Sequence, residues 1–251
     1  MLAFIETPAG IDPVRSADRL IAEAPILRNT YFSALASGAM SREAFLQTQI
    51  QFFHAVRFFP RPMAALMARL PDSGRRMPLI HNLAEEHGAD ADETPSRLPA
   101  GAPLFDPLRA HDRTFLAFLA SLDVTPQRVR EIPEGSAVRA FNLGLFGACA
   151  AEPVELAFAC LGIIEYAFAE ISAEIGRTVV ERRWIAPNDL VHYTLHAEID
   201  RRHAAEFFDA VAEAWNAGGP GRENVLSGLR LGLHLFDRLY ADLERDTRRA
   251  P

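Results

Sequence analysis

The chain has 251 residues, 49% of them hydrophobic and 9% aromatic, with a formal net charge of −7 and a pI near 5.6. That is ample for a sizeable core, and the acidic balance argues against a nucleic-acid partner, which calls for a basic face. All 26 basic residues are Arg, which excludes a Schiff-base lysine and a Walker-type phosphate lysine. The two cysteines, Cys149 and Cys160, form no CxxC or secreted pattern, so a reducing cytoplasm fits best. The opening MLAFIETPAG lacks a basic n-region and a long apolar run, so no signal peptide is expected. Glu165 interrupts the apolar stretch FACLGIIEYAF, so no membrane span is expected.

Helical periodicity runs through almost the whole chain. ADRLIAEAPILRNTYFSALASG, residues 17–38, repeats apolar positions at three-to-four spacing and stops at Gly38. Ser41 caps a second helix, SREAFLQTQIQFFHAVRFF, which Pro60 and Pro62 end or kink. A third spans Met77 to His87 and stops at Gly88. Residues 88–108 are rich in Pro, Gly and Asp and read as a long loop, a type that is often functional.

HDRTFLAFLASL, at 111–122, resumes the helical period, and TPQRVREI is a short helical turn. SAVRAFNLGLFGACA and EPVELAFACLGIIEYAFAEISAEIG form two helices broken near Pro153. Asn188 or Asp189 caps the next helix, which runs to about Asn216 before AGGPG. A last amphipathic helix covers ENVLSGLRLGLHLFDRLYADLER. No β-period segment exceeds the two valines at 179–180. The reading is a single all-α domain over 1–251, a bundle of about seven or eight helices.

Within the helix after Pro187 stands HYTLHAEIDRRH, residues 192–203. On a helix each residue advances roughly 100°, so His196, Asp200 and His203 share about 60° of arc, with His192 one turn back. Such a stripe is either a solvated polar face or a set of ligands, since imidazole and carboxylate both suit iron. Arg201, Arg202, Glu198 and Glu206 provide a separate polar face, which leaves the stripe free to point inward.

Metal sites in helical bundles gather ligands from several facing helices. Glu165 lies in ACLGIIEYAFAEI, apolar on nearly every side. It is either half of a buried ion pair, a residue that reaches solvent, or a metal ligand. Glu85 and Glu86 end the third helix, where negative charge opposes the helix dipole. Periodicity places Glu86 at the edge of the apolar face and Glu85 farther round. His111 opens its helix. His54, His81 and His234 read as structural, and His192 as a partner that orients a ligand. Tyr31, Phe52, Tyr166 and Tyr193 are candidates to line a cavity.

Together NLAEEHG, HDRTFLAFLASL, GIIEYAFAEI and HYTLHAEIDRRH resemble the haem-oxygenase-like di-iron oxidases, the CADD-like iron-containing redox enzymes on a TenA/PqqC-like fold. QIQFFHAVRFFPR resembles that family's opening helices. The resemblance implies six ligands: Glu85, with Glu86 its rival, His111, Glu165, His196, Asp200 and His203. It implies two iron ions per chain, reacting as Fe(II) with O₂ on a small-molecule substrate. Electrons would come from that substrate or an external reductant, and a homodimer is suggested. The 26 positions between Glu85 and His111 exceed the family's usual gap, as an insertion would explain. Members that make p-aminobenzoate from their own tyrosine look to need a nearby lysine, and this chain has none. Competing readings are a metal-free PqqC- or TenA-like enzyme and a non-enzymatic helical binding module. Haem oxygenase activity is disfavoured, since residues 16–37 hold no proximal histidine.

Overall fold

A computed structural model describes residues 12–89 and 104–249. Among these the chain forms twelve α-helices: α1 (Pro13–Glu23), α2 (Thr30–Ser37), α3 (Arg42–Val56), α4 (Pro60–Ala68), α5 (Ser73–Glu86), α6 (His111–Ser121), α7 (Pro126–Glu131), α8 (Ser136–Ala151), α9 (Val154–Glu181), α10 (Val191–Asp209), α11 (Ala212–Ala217) and α12 (Gly219–Arg249). The all-α bundle is as expected, with more helices than seven or eight because Pro and cap residues cut long periodic runs.

Pro25 breaks the first run, and Asn29 opens α2 by accepting from the Phe32 N–H at 3.2 Å. Pro60 starts α4 rather than ending α3 in a kink. Asp72 caps α5, which starts at Ser73, four residues before the expected Met77, and Pro78 is carried inside the helix. Val211 separates α11 from α10. Asn188 and Asp189 do not cap α10. They lie in a 3₁₀ turn, and the cap position falls on Leu190, which makes no side-chain capping bond. α9 continues past Gly176 to Glu181, because Val179 buries a further turn.

α9 is the central rod. α10 lies along one side of it and α12 along another, while α8 completes the apolar layer with α4 and α12. By length and composition α9 could cross a membrane, against the expectation that Glu165 would prevent it. Here 78% of its most apolar window is buried inside the bundle, as befits a core helix. Phe158, Leu161, Ile163, Ile171 and Ile175 are fully buried.

α5 and α6 flank α10, and the long segment between them is closed at its base. Gly88 ends α5 at φ +96°, where a Cβ would lie 2.0 Å from the Asp106 carbonyl oxygen. The Asp106 N–H donates to the Gly88 carbonyl at 3.0 Å, and Ala89 bridges Phe105. The chain therefore leaves and returns at one point, which brings the end of α5 beside the start of α6 despite the 26-position gap between Glu85 and His111.

Candidate metal centre

Four helices bring their titratable side chains to one buried place. Glu85 and Glu86 come from the last turn of α5, His111 from the first residue of α6, Glu165 from the middle of α9, and His192, His196, Asp200 and His203 from α10. All eight are at most 8% exposed, and Asp200 and His192 are wholly enclosed. The stripe on α10 is therefore not a solvated face.

One half of the cluster is rich in carboxylate. Glu165, Asp200 and His203 bring one ligand atom each within 4.8 Å of one another. His203 donates through Nε2 to Glu85 Oε2 at 3.0 Å, and its Nδ1 lies 3.8 Å from Glu165 Oε2 and 3.9 Å from Asp200 Oδ1. Asn82 donates to Glu165 Oε1 at 3.3 Å. Arg202 reaches in from the rim to Glu85 at 2.6 Å, so it belongs to the site rather than to the outer polar face. Arg201 and Glu198 stay exposed.

The other half is rich in imidazole. His196 stands between His111 and His192, its ring centroid 4.4 Å from the first and 4.2 Å from the second. Its Nδ1–H donates to Asp200 Oδ1 at 2.8 Å. His111 Nδ1 lies 3.0 Å from Glu86 Oε1, off the direction of a good hydrogen bond. Both glutamates of the pair thus turn inward: Glu85 meets His203 and Arg202, and Glu86 meets His111.

Electrostatics show what this cluster lacks. Burial raises the Asp200 carboxyl well above its ordinary range, and the neighbouring Glu165, Glu86 and Glu85 raise it further. Burial lowers His196 well below the usual imidazole value, aided by the other histidines. Burial also opposes the charged form of His203, but hydrogen bonds and charge from Glu165 and Glu85 outweigh it and hold the ring up to about 10. His111 is raised in the same way, with the Glu86 charge overcoming burial. Four buried carboxylates therefore face one arginine and whatever protons the histidines retain. Desolvated charge of this kind costs several kcal/mol per group unless it is compensated.

The unpartnered atoms show where compensation belongs. Among the described residues, eight buried side-chain polar atoms have no hydrogen-bond partner, and five of them sit here: Asn82 Oδ1, His111 Nδ1, His192 Nε2, His196 Nε2 and Asp200 Oδ2. Buried polar atoms are ordinarily satisfied. Unpartnered imidazole and carboxylate atoms gathered in a buried place fit a divalent transition metal, whose charge also answers the acidic excess. The donor set thus fits iron.

Beside the cluster is a cavity of about 50 Å³. Glu86, His111, Glu165, His192 and His196 form its polar end, and Phe52, Val56, Phe59, Phe141, Phe168 and Phe236 line much of the rest. Of the aromatic residues expected to line a cavity, Phe52 does so. Tyr31 and Tyr193 instead bond to Gln49 at 2.9 and 2.5 Å, and Tyr166 bonds to Asp18 at 2.7 Å, near the surface. His54 is a core residue bonded to the Ile132 carbonyl at 3.0 Å, whereas His81 and His234 are exposed. Phe59, Phe141, Phe168 and Phe236 carry no such signal in the sequence, because helical period alone does not say which core face borders a void.

Known proteins resemble the chain in sequence and in fold. The chain is 23% identical over 190 residues to a Chlamydia trachomatis protein named 4-aminobenzoate synthase, covering 75% of this chain and 74% of that protein. A Shewanella denitrificans domain with a haem oxygenase-like fold superposes with a TM-score of 0.72 at 14% identity, covering 96% of this chain and 95% of the other. A CADD-like protein from Nostoc punctiforme gives 0.71 at 15% identity, covering 94% and 96%. A TenA homologue from Pseudomonas syringae gives 0.69 at 18% identity, covering 99% and 100%. Residues 46–237, most of the chain, match the family described as iron-containing redox enzymes, and the chain belongs to that family.

Proposed function

We propose that the protein is a non-haem, di-iron, O₂-activating oxidase or oxygenase that acts on a small molecule in the cytoplasm. The observation that carries this reading is the convergence of three carboxylates and three histidines, Glu85, His111, Glu165, His196, Asp200 and His203, on one buried place where their own bonding leaves ligand atoms unsatisfied. Six protein ligands suffice to hold two ions and leave positions open. Iron held there would supply the redox chemistry with O₂.

The chain's own residues supply the rest. Glu165 is central to both halves, facing His203 and bordering the cavity, and would serve there as a ligand. Glu85 is oriented by Arg202, and Glu165 by Asn82. The phenylalanine wall excludes water and gives an apolar substrate body a place to lie. No residue described along that wall is a tyrosine, and the chain has no lysine. Both facts favour an external substrate over consumption of one of the protein's own tyrosines. Electrons would come from that substrate or from an outside reductant.

A TenA-like hydrolysis through a thiol gains no support. Burial pushes Cys149 up to about 12 and raises Cys160 well above the ordinary thiol value, so neither offers a thiolate.

The test is anaerobic titration of metal-free protein with Fe(II), followed by mixing with O₂ and recording of visible absorbance. About two irons per chain and a transient visible band on mixing are expected. No iron uptake would sink the reading in favour of metal-free chemistry on the same fold.

A further inference from the structure

His192 lies outside the six-ligand set, yet its surroundings match those of a ligand. It stands one helical turn before His196 on α10, the i,i+4 spacing that lets two imidazoles on one helix face meet a single metal ion. It is fully buried and borders the cavity. Its Nδ1 lies 2.9 Å from Thr114 Oγ1, and the Thr114 hydroxyl has the His111 carbonyl as acceptor for its proton at 3.1 Å. Thr114 Oγ1 then accepts from Nδ1–H. This fixes the tautomer and leaves the Nε2 lone pair bare, without a partner.

His196 is built the same way. Its Nδ1–H is engaged by Asp200 and its Nε2 is buried and unpartnered. An imidazole held by its outer N–H with its other nitrogen free is the usual arrangement of a metal-bound histidine. Phe115 and Phe168 pack against the His192 ring, 4.8 and 6.5 Å away, and offer that nitrogen no hydrogen-bonding group.

We propose that His192 supplies a fourth imidazole to the metal centre through Nε2, with Thr114 as its positioning residue. The two metal positions then differ in kind. His111, His192 and His196 stand in one half of the cluster, Glu85, Asp200 and His203 in the other, and Glu165 faces both. The inference rests on the di-iron reading above and deepens it.

The experiment is equilibrium binding of Fe(II) under anaerobic conditions to the full chain, to His192→Phe, to Thr114→Val and to the double variant, with circular dichroism as a folding control. In His192→Phe one equivalent is expected to weaken about tenfold or more while the other holds. Thr114→Val should weaken that same equivalent by about 10–100-fold, the usual effect of removing an outer partner. It should add nothing in the His192→Phe background. If His192→Phe fails to fold, Thr114→Val and the conservative His192→Gln carry the test through the same biphasic binding curve. Two equivalents at unchanged affinity in the His192 variants would overturn this inference and leave the di-iron reading standing. An equal loss from Thr114→Val with or without His192 would also overturn it. Absence of iron uptake by the unaltered protein would overturn both.

Discussion

His196 shows how much a single residue can decide. It touches both halves of the cluster, and its neighbours already occupy one of its nitrogens. Replacement by Ala removes a buried ligand but leaves the apolar face of α10, including Tyr193, Phe207 and Phe208, in place. His196→Ala is therefore expected to lose most bound iron while keeping its helicity, as measured by metal analysis and circular dichroism. Iron content equal to that of the unaltered protein would remove His196 from the ligand set. His203 adds a dependence on pH. Its folded value of about 10 exceeds the ordinary imidazole value near 6.5. Its proton therefore stabilises the folded state. That contribution is complete below about pH 6.5 and is lost as pH rises through about 10. The metal-free protein should melt at progressively lower temperature between pH 7 and 9, and His203→Asn should flatten that fall. A melting temperature indifferent to pH over this range would contradict the protonated pairing with Glu85 and Glu165. The same proton must leave when a cation binds, so metal uptake should release protons and weaken as pH falls.

The stripe on α10 and the isolated Glu165 were legible in the sequence because each conflicts with its setting: three histidines and a carboxylate at helical spacing, and a lone charge in an apolar rod. Glu85 and Glu86 were not separable, since periodicity and resemblance chose differently. In the structure both turn inward, because α5 ends at Gly88 and its last turn is enclosed by α6 and α10. The free nitrogen of His192 was invisible, because it depends on Thr114, a residue on another helix.

At the scale of elements, close approach of α12 to α9 governs how the rod carrying Glu165 is held. Gly228 and Gly232, one turn apart on α12, lie against the α9 backbone. A Cβ at Gly228 would stand 2.2 Å from the Leu156 carbonyl oxygen, and one at Gly232 2.5 Å from that of Cys160. These obstacles are backbone atoms of a buried helix and cannot swing aside as a side-chain tip would. Gly228→Ala gains helix propensity of about 1 kcal/mol but forces the two helices apart. Overpacking costs about 1–3 kcal/mol, or more where backbone must move. A net fall in melting temperature of several degrees is expected, read by thermal unfolding. A rise would mean that the helices separate without cost. Sequence alone gave these glycines no role, because the pattern GLRLG reads as an ordinary amphipathic turn until α9 is seen beside it. Breaks between helices divided the same way. Pro25 is a local signal that the long first period overrode, whereas the separation of α10 from α11 follows from packing of Val211 and Trp215, both buried.

At the scale of the molecule, the centre ties together helices that are distant in sequence. Its ligand candidates run from Glu85 to His203 and come from α5, α6, α9 and α10, so a bound cation cross-links four elements of the bundle. Without it, the crowding of Glu85, Glu86, Glu165 and Asp200 is answered only by Arg202 and the protons of His111 and His203. A ligand that binds only the folded state stabilises it by about 2.7 kcal/mol when present at one hundred times its dissociation constant. For a chain of this size that amounts to a rise in melting temperature of roughly 5–10 °C per occupied site. Anaerobic Fe(II) should therefore raise the melting temperature by at least that much, and a chelator should reverse it. Amide exchange should slow most in the last turn of α5, the first turn of α6 and the middle of α10, and least in α1, which contributes no residue to the centre. His196→Ala should lose the greater part of the shift. Stabilisation spread evenly over α1 and α10 alike, or a full shift in His196→Ala, would place the cation elsewhere on the acidic surface and detach the buried cluster from metal binding.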